Sequence, residues 1–165
     1  MARSKRVFSA LLLAMALVAV PLHAQSGKSI IIRMIDVKTG RMVATSDYIV
    51  QVDHKRDAHS DWVTQEEGGE GKLTLPADVS QIQIRGKYDN SMEIYINCDT
   101  ENERKAARYS DVPDHWYPVA DILAKGLVAT DECKSKETAK HDYVAKPGEF
   151  IFFVRRQNWI EVGKN

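Results

Sequence analysis

The chain has 165 residues, with 23 basic and 23 acidic side chains, two cysteines and 44% apolar residues. A charge with no basic excess argues against nucleic acid as a partner, since displacing counterions from a phosphate backbone needs a basic face. The length suits one domain with its own core and not two.

The first predicted element is a leader. MARSKR is basic, an apolar run of 14 residues follows from Val7 to Val20, Pro21 breaks it, and Ala24 supplies a small residue for cleavage. That layout predicts a secretory signal peptide over residues 1–24. A membrane-crossing helix needs about 20 apolar residues, so no integral span is expected after the leader is removed. No cysteine directly follows the run, which argues against a lipid anchor. Cleavage takes away Arg3, Lys5 and Arg6 and no acid, leaving 20 basic against 23 acidic side chains, a formal charge of −3. Residues 25–165 are expected to form one domain, secreted or periplasmic, of bacterial type.

Beyond the leader, most of the chain alternates with a period of two, as strands with one buried face do. SIIIRMID (29–36) is so apolar that both of its faces are expected to be covered. The turn VKTG follows, with Gly40 suited to a left-handed conformation. In DYIVQVD, Tyr48, Val50 and Val52 point one way and Gln51 and Asp53 the other, which puts Asp53 at a strand end. An extended segment resumes from Trp62 to Gln65, and EEGGEG (66–71) reads as a turn. KLTLP (72–76) is a short strand closed by Pro76. QIQIRGKY turns Ile82 and Ile84 inward, MEIYIN turns Met92, Ile94 and Ile96 inward, and EFIFFVRR (149–156) puts Phe150, Phe152 and Val154 on one face. Two segments are helical by pattern. TENERKAAR has a capping-box spacing from Thr100 to Glu103 but no apolar stripe. YPVADILAKGL has Pro118 in its first turn, Val119, Ile122 and Leu123 on one face, and Gly126 to end it. The expected fold is mainly β: an immunoglobulin-like or transthyretin-like antiparallel β-sandwich of about seven strands with one or two short helices. Cys98 and Cys133, in the oxidising compartment that the leader implies, are expected to form a disulfide.

Asp36, Thr39 and Gly40 in the first turn, with Gly71, Leu73, Leu75 and Pro76 in the later strand, give about 60 residues that resemble the opening of carboxypeptidase regulatory-like domains, which are transthyretin-like sandwiches. The resemblance implies the fold and carries no activity, since sandwiches host many functions. Related collagen-adhesin B-type domains often place a Lys two residues before the turn Asp, where it forms an internal isopeptide bond. Met34 stands at that position, which rules the bond out there.

VDHKRDAHSDW (52–62) holds the densest set of potential metal ligands: His54, Asp57, His59 and Asp61. Imidazole and carboxylate suit zinc, but an i, i+4 histidine pair converges on a helix, and this stretch reads as a loop whose Lys55 and Arg56 repel a cation. The residues neighbouring Ser60 do not form a triad, because adjacent side chains on an extended chain point to opposite sides, and no nucleophile turn is present. A second set is aromatic. DVPDHWYP (111–118) displays His115, Trp116 and Tyr117 between two prolines, and with Trp62 these rings suit stacking on a sugar or anchoring a protein. The composition and motifs therefore predict a secreted, non-enzymatic β-sandwich with a binding or envelope-structural role, for an unknown protein or glycan partner and with no cofactor. The alternatives are a carbohydrate-binding module using those aromatics, and a metal binder or metal-dependent hydrolase using the His/Asp loop.

Overall fold

The structure, a computed structural model, describes residues 27–43, 48–53, 62–63, 70–86, 95–100, 102 and 115–158. In chain order these residues form β1 (Lys28–Asp36), β2 (Arg41–Met42), β3 (Tyr48–Val52), β4 (Trp62–Val63), β5 (Glu70–Leu75), β6 (Gln81–Gly86), β7 (Tyr95–Asn97) and β8 (Tyr117–Pro118). Helix α1 (Val119–Lys125), β9 (Leu127–Val128), a 3-10 turn at Thr138–Lys140 and β10 (Glu149–Arg156) follow.

Two apolar runs from opposite ends of the described chain make the centre. β1 and β10 pair in parallel, from Ile31 beside Glu149 to Asp36 beside Val154. β5 and β2 share the free edge of β1, both antiparallel to it. On the free edge of β10, β9 runs parallel and β7 antiparallel. The remaining strands form a second sheet in the order β4-β3-β6-β8, antiparallel throughout. The protein is thus mainly β with one helix of several turns or fewer among the described residues, and the expectation of purely antiparallel sheets needs correction. Hairpin reasoning pairs neighbours in sequence, whereas the central pair joins residues more than a hundred positions apart. The unbroken apolar runs IIIRMI and FIFFV fit that outcome, because strands of a parallel pair are covered on both faces.

Alternation along β1 and β10 divides the core into two layers. Ile30, Ile32 and Met34 of β1, Leu73 and Leu75 of β5 and Phe150, Phe152 and Val154 of β10 form one apolar cluster with Val50, Ile82 and Ile84 of the second sheet. Ile35, Val37, Ile151 and Phe153 point the other way and pack with Cys98, Cys133, Tyr143 and Ala145. This second layer is made by residues 129–148, which lie across the outer face of the larger sheet. Burying one side chain of this size stabilises by about 1.5–3 kcal/mol, so both faces of β1 and β10 contribute.

The helix packs as its pattern predicts. Val119 and Ile122 are buried, Pro118 sits at the N-cap, and Gly126 ends the helix with φ 75° while its N–H bonds Ile122 O. The phase of β7 differs from expectation. Tyr95 belongs to the core cluster and Ile96, though buried, does not. The reason is register: Asn97 lies opposite the inward Val154 and Ile96 opposite Arg155, and a shift of one residue exchanges the two faces of a strand. Met92 and Ile94, and Glu101 and 103–108 of the first helical segment, lie outside the described residues.

Candidate functional site

Between β9 and β10 the chain runs through 20 residues, 129–148, with no strand of its own. Structured connections of that length in a compact fold are uncommon and usually functional. Polar bonds stitch this one down. Ala129 N–H donates to Ile151 O and Glu132 N–H to Cys98 O. Cys133 is bonded to Cys98, the expected disulfide, with an S–S distance of 2.02 Å. Ser135 Oγ donates to Val37 O and accepts from the N–H groups of Glu137 and Thr138, which starts the 3-10 turn. Further on, the Tyr143 hydroxyl donates to Gly40 O at 2.9 Å, and Gly148 N–H donates to Ile122 O as the chain re-enters β10.

The segment does not lie flat. It leaves an open cleft of about 320 Å³ floored by Phe153 and walled by Val128, Asp131, Lys134, Thr138, His141 and Tyr143. Two rings rise from that floor: Tyr143 stands edge-on to Phe153 with centroids 5.2 Å apart, and His141 tilts on Tyr143 at 5.6 Å. Asp131 is the acid of the wall. Its Oδ2 accepts from the Thr138 hydroxyl, while its buried Oδ1 has no hydrogen-bond donor among the described residues. Burial, and secondarily the charge of Asp131, raises the pKa of Tyr143 above the ordinary tyrosine value. Lys134, at the rim, adopts a left-handed backbone with φ 52°, a conformation that costs a non-glycine residue energy and clusters at functional positions.

Donor atoms of Cys98, Asp131 and Cys133 lie within 4.8 Å of one another. Both sulfurs are committed to the disulfide, so only the carboxylate of that group is a free ligand. The metal set expected from the sequence, His54, Asp57, His59 and Asp61, lies outside the described residues.

The expected aromatic set is divided by the fold. Trp62 is on β4, at one edge of the four-stranded sheet, and Tyr117 is on β8, at the opposite edge. With strands about 4.8 Å apart, three strand spacings separate them. His115 is exposed and Trp116 half-buried, but Tyr117 is only 6% exposed. Its ring is stacked by His115 at 4.8 Å and packed on Phe150 at 4.6 Å, and its hydroxyl donates to Asp99 Oδ2 at 2.6 Å. Burial first, and then the charge of Asp99, push its pKa far above the ordinary tyrosine range. Tyr117 is therefore a core ring with no face open to a sugar, because its flat sides carry neighbours and its polar tip already has an acceptor.

Sequence reasoning missed the cleft. KSKETAKHDYVAKPG has neither helical nor strand periodicity and reads as a charged connection. The available signals were its length, the Cys133 anchor and the His141, Tyr143 alternation. Comparisons with protein-family models, with curated proteins and with solved structures return no match.

Proposed function

We propose that the protein is an exported, non-enzymatic binding module of the β-sandwich type, transthyretin-like in its first half, whose binding face is the cleft built by residues 129–148. The observation that carries this reading is the segment itself: 20 residues are held over the outer face of the central strands by a disulfide and a series of hydrogen bonds, and they form the walls of an open cleft lined in part by rings. Concave sites that combine apolar walls with a few polar groups are where small ligands bind. The disulfide and the basic-then-apolar N-terminus both fit export to an oxidising compartment. Among the described residues no helix is long and apolar enough to cross a membrane. The turn at Asp36 supports the resemblance to regulatory-like domains: Asp36 O accepts from the N–H groups of Thr39 and Gly40, and its Oδ1 accepts from Lys38 N–H.

Fractionation of expressing bacteria tests export; the expected result is a protein outside the cytoplasm that begins at Gln25 and has no free thiol. Binding is tested by titrating the ¹⁵N-labelled protein with a panel of small amines, carboxylates, alcohols and sugars. Amide shifts gathered around Asp131, Thr138, His141 and Tyr143 are expected. A panel that moves none of these amides, or any member of it being turned over, would overturn the reading.

A further inference from the structure

Three places in the molecule hold chemistry that the fold does not use up: the cleft wall at Asp131, the Asp99–Tyr117 pair, and the sulfurs beside Asp131. The last two are closed, one by its hydrogen bond and core position and the other by the disulfide. The cleft wall is open to a ligand. From the half-buried carboxylate of Asp131, which receives one hydroxyl and no counter-charge among the described residues and lines the cleft with His141, Tyr143 and Phe153, we infer that the cleft selects a small organic ammonium ion with a short apolar stem. This inference rests on the cleft being the binding face.

The argument is one of unmet charge. A carboxylate removed from water needs donors or a counter-charge, because a buried polar group without a partner is costly. Asp131 receives a single hydroxyl, that of Thr138, on one oxygen, and its other oxygen is buried without a donor among the described residues. Lys134 does not supply the missing charge, for its side chain is exposed at the rim, where water and salt screen it. An ammonium ion in the cleft brings a counter-charge to the wall that Asp131 forms; Oδ1 itself has no surface open to the cleft, so the attraction is to the charge of the carboxylate and not a hydrogen bond to that oxygen. The ion also lies beside the aromatic side chains of Tyr143 and Phe153 that line the cleft, and aromatic rings attract cations. The stem has a surface to cover as well, since Val128 at 37% exposure and Phe153 beneath it are apolar. The field of Asp131 extends across the cleft to Tyr143, where it adds to burial in holding the phenol neutral. A carboxylate ligand would face Asp131 with like charge, and an alcohol would leave the negative charge uncompensated.

The test uses three probes of one shape, n-butylammonium, n-butanol and butyrate, each titrated into the ¹⁵N-labelled disulfide-bonded protein. Butylammonium is expected to shift the amides lining the cleft and to bind at least about tenfold more tightly than the other two, the scale of a charge-assisted contact. Asp131→Asn keeps an acceptor for Thr138 and removes the charge, and should weaken butylammonium by about tenfold. Lys134→Asn removes a like charge at the rim with a residue that tolerates a left-handed backbone, and should tighten it about twofold to threefold. These opposite effects separate an electrostatic role from general damage to the fold, and Lys134 is exposed enough that its variant folds even if the Asp131 variant does not. Equal binding of butanol and butylammonium at the cleft, or an affinity indifferent to both substitutions, overturns the ammonium inference and leaves the cleft as a binding face. Silence of all three probes at the lining amides overturns the inference too, and silence of the wider panel then removes the proposed function with it.

Discussion

Tyr117 and Asp99 are joined by a 2.6 Å hydrogen bond inside the core, the phenol donating to a carboxylate that is 5% exposed. The bond ties β8 to the segment just after β7, so it links the edge of one sheet to the other. It also fixes a pH dependence. In the folded protein the phenol is held neutral by burial and by the Asp99 charge, whereas in the unfolded chain it ionises near its ordinary value of about 10. A group whose pKa is raised on folding binds more protons in the native state than in the unfolded state above that value, so stability falls as pH rises. Below about pH 10 its contribution is fully present. Urea melts between pH 9 and 11.5 should show declining stability in the wild type and a shallower decline in Tyr117→Phe. Absorbance at 295 nm should show one tyrosine that ionises only on unfolding.

The Cys98–Cys133 bond closes a loop with a sequence separation of 35. Loop-closure entropy makes that constraint worth on the order of 3–4 kcal/mol. Replacing both cysteines by serine should lower the unfolding free energy by about that amount. The loss should not be uniform. Amides of 129–148 lose their covalent anchor while those of β1 and β10 keep their strand pairing, so hydrogen exchange should quicken first in the outer layer. Uniform acceleration across both layers would contradict a local anchoring role.

Most of the strand positions were legible in the sequence. The described parts of the seven expected runs fall on β1, β3, β4, β5, β6, β7 and β10, although β5 begins at Glu70, inside the expected turn, and the additional strands β2, β8 and β9 are two residues each. Such short strands carry no period to detect; they exist because neighbouring ladders offer free hydrogen-bonding groups. Helix α1 was legible from Pro118, the apolar positions and Gly126 because capping chemistry is local. The parallel pairing of β1 with β10 was not, since nothing local encodes a partner across the whole chain. For the site, patterning drew attention to Tyr117 as an exposed ring, but its partner Asp99 comes from a distant strand end. Asp131 and Tyr143 form a cleft only because a disulfide folds an aperiodic segment over Phe153.

Gly126 and Gly148 flank the site's two junctions and differ in a way that substitution can resolve. Both have positive φ, 75° and 83°, so alanine is strained at either. At Gly126 a Cβ would also lie 2.4 Å from Lys146 O, while at Gly148 the nearest atom, Ser29 O, is 3.9 Å away. Gly148→Ala should therefore cost about 1 kcal/mol, the backbone penalty alone. Gly126→Ala should cost clearly more, because the backbone at Lys146 must move and Gly148 N–H and the helix end share Ile122 O as acceptor. Thermal melts of the two variants side by side decide it; equal losses would mean that the loop at 145–146 yields freely.

Asp53 closes the strand from which the His/Asp stretch departs, and its role is structural. One oxygen, Oδ1, accepts from Ser80 N–H, Ser80 Oγ–H and Gln81 N–H at 2.8–2.9 Å, and Asp53 N–H donates to Gln81 O. Its backbone is left-handed, φ 47°. These two facts select the residue: a short side chain must reach back to the β6 start, and the conformation is one that Asp and Asn adopt more readily than other non-glycine residues. Asp53→Asn keeps both properties and should change stability by less than about 0.5 kcal/mol. Asp53→Ala loses the acceptor and is strained at positive φ. Because the site is partly open to water, which replaces some of the lost bonds, the expected cost is about 1–2 kcal/mol. The register of β3 on β6, from Tyr48 beside Gly86 to Val52 beside Ile82, has its last fixed point here. Exchange at Gln81 and Ile82 should accelerate in the alanine variant and not in the asparagine variant, and equal exchange in both would assign the pairing to the strands alone.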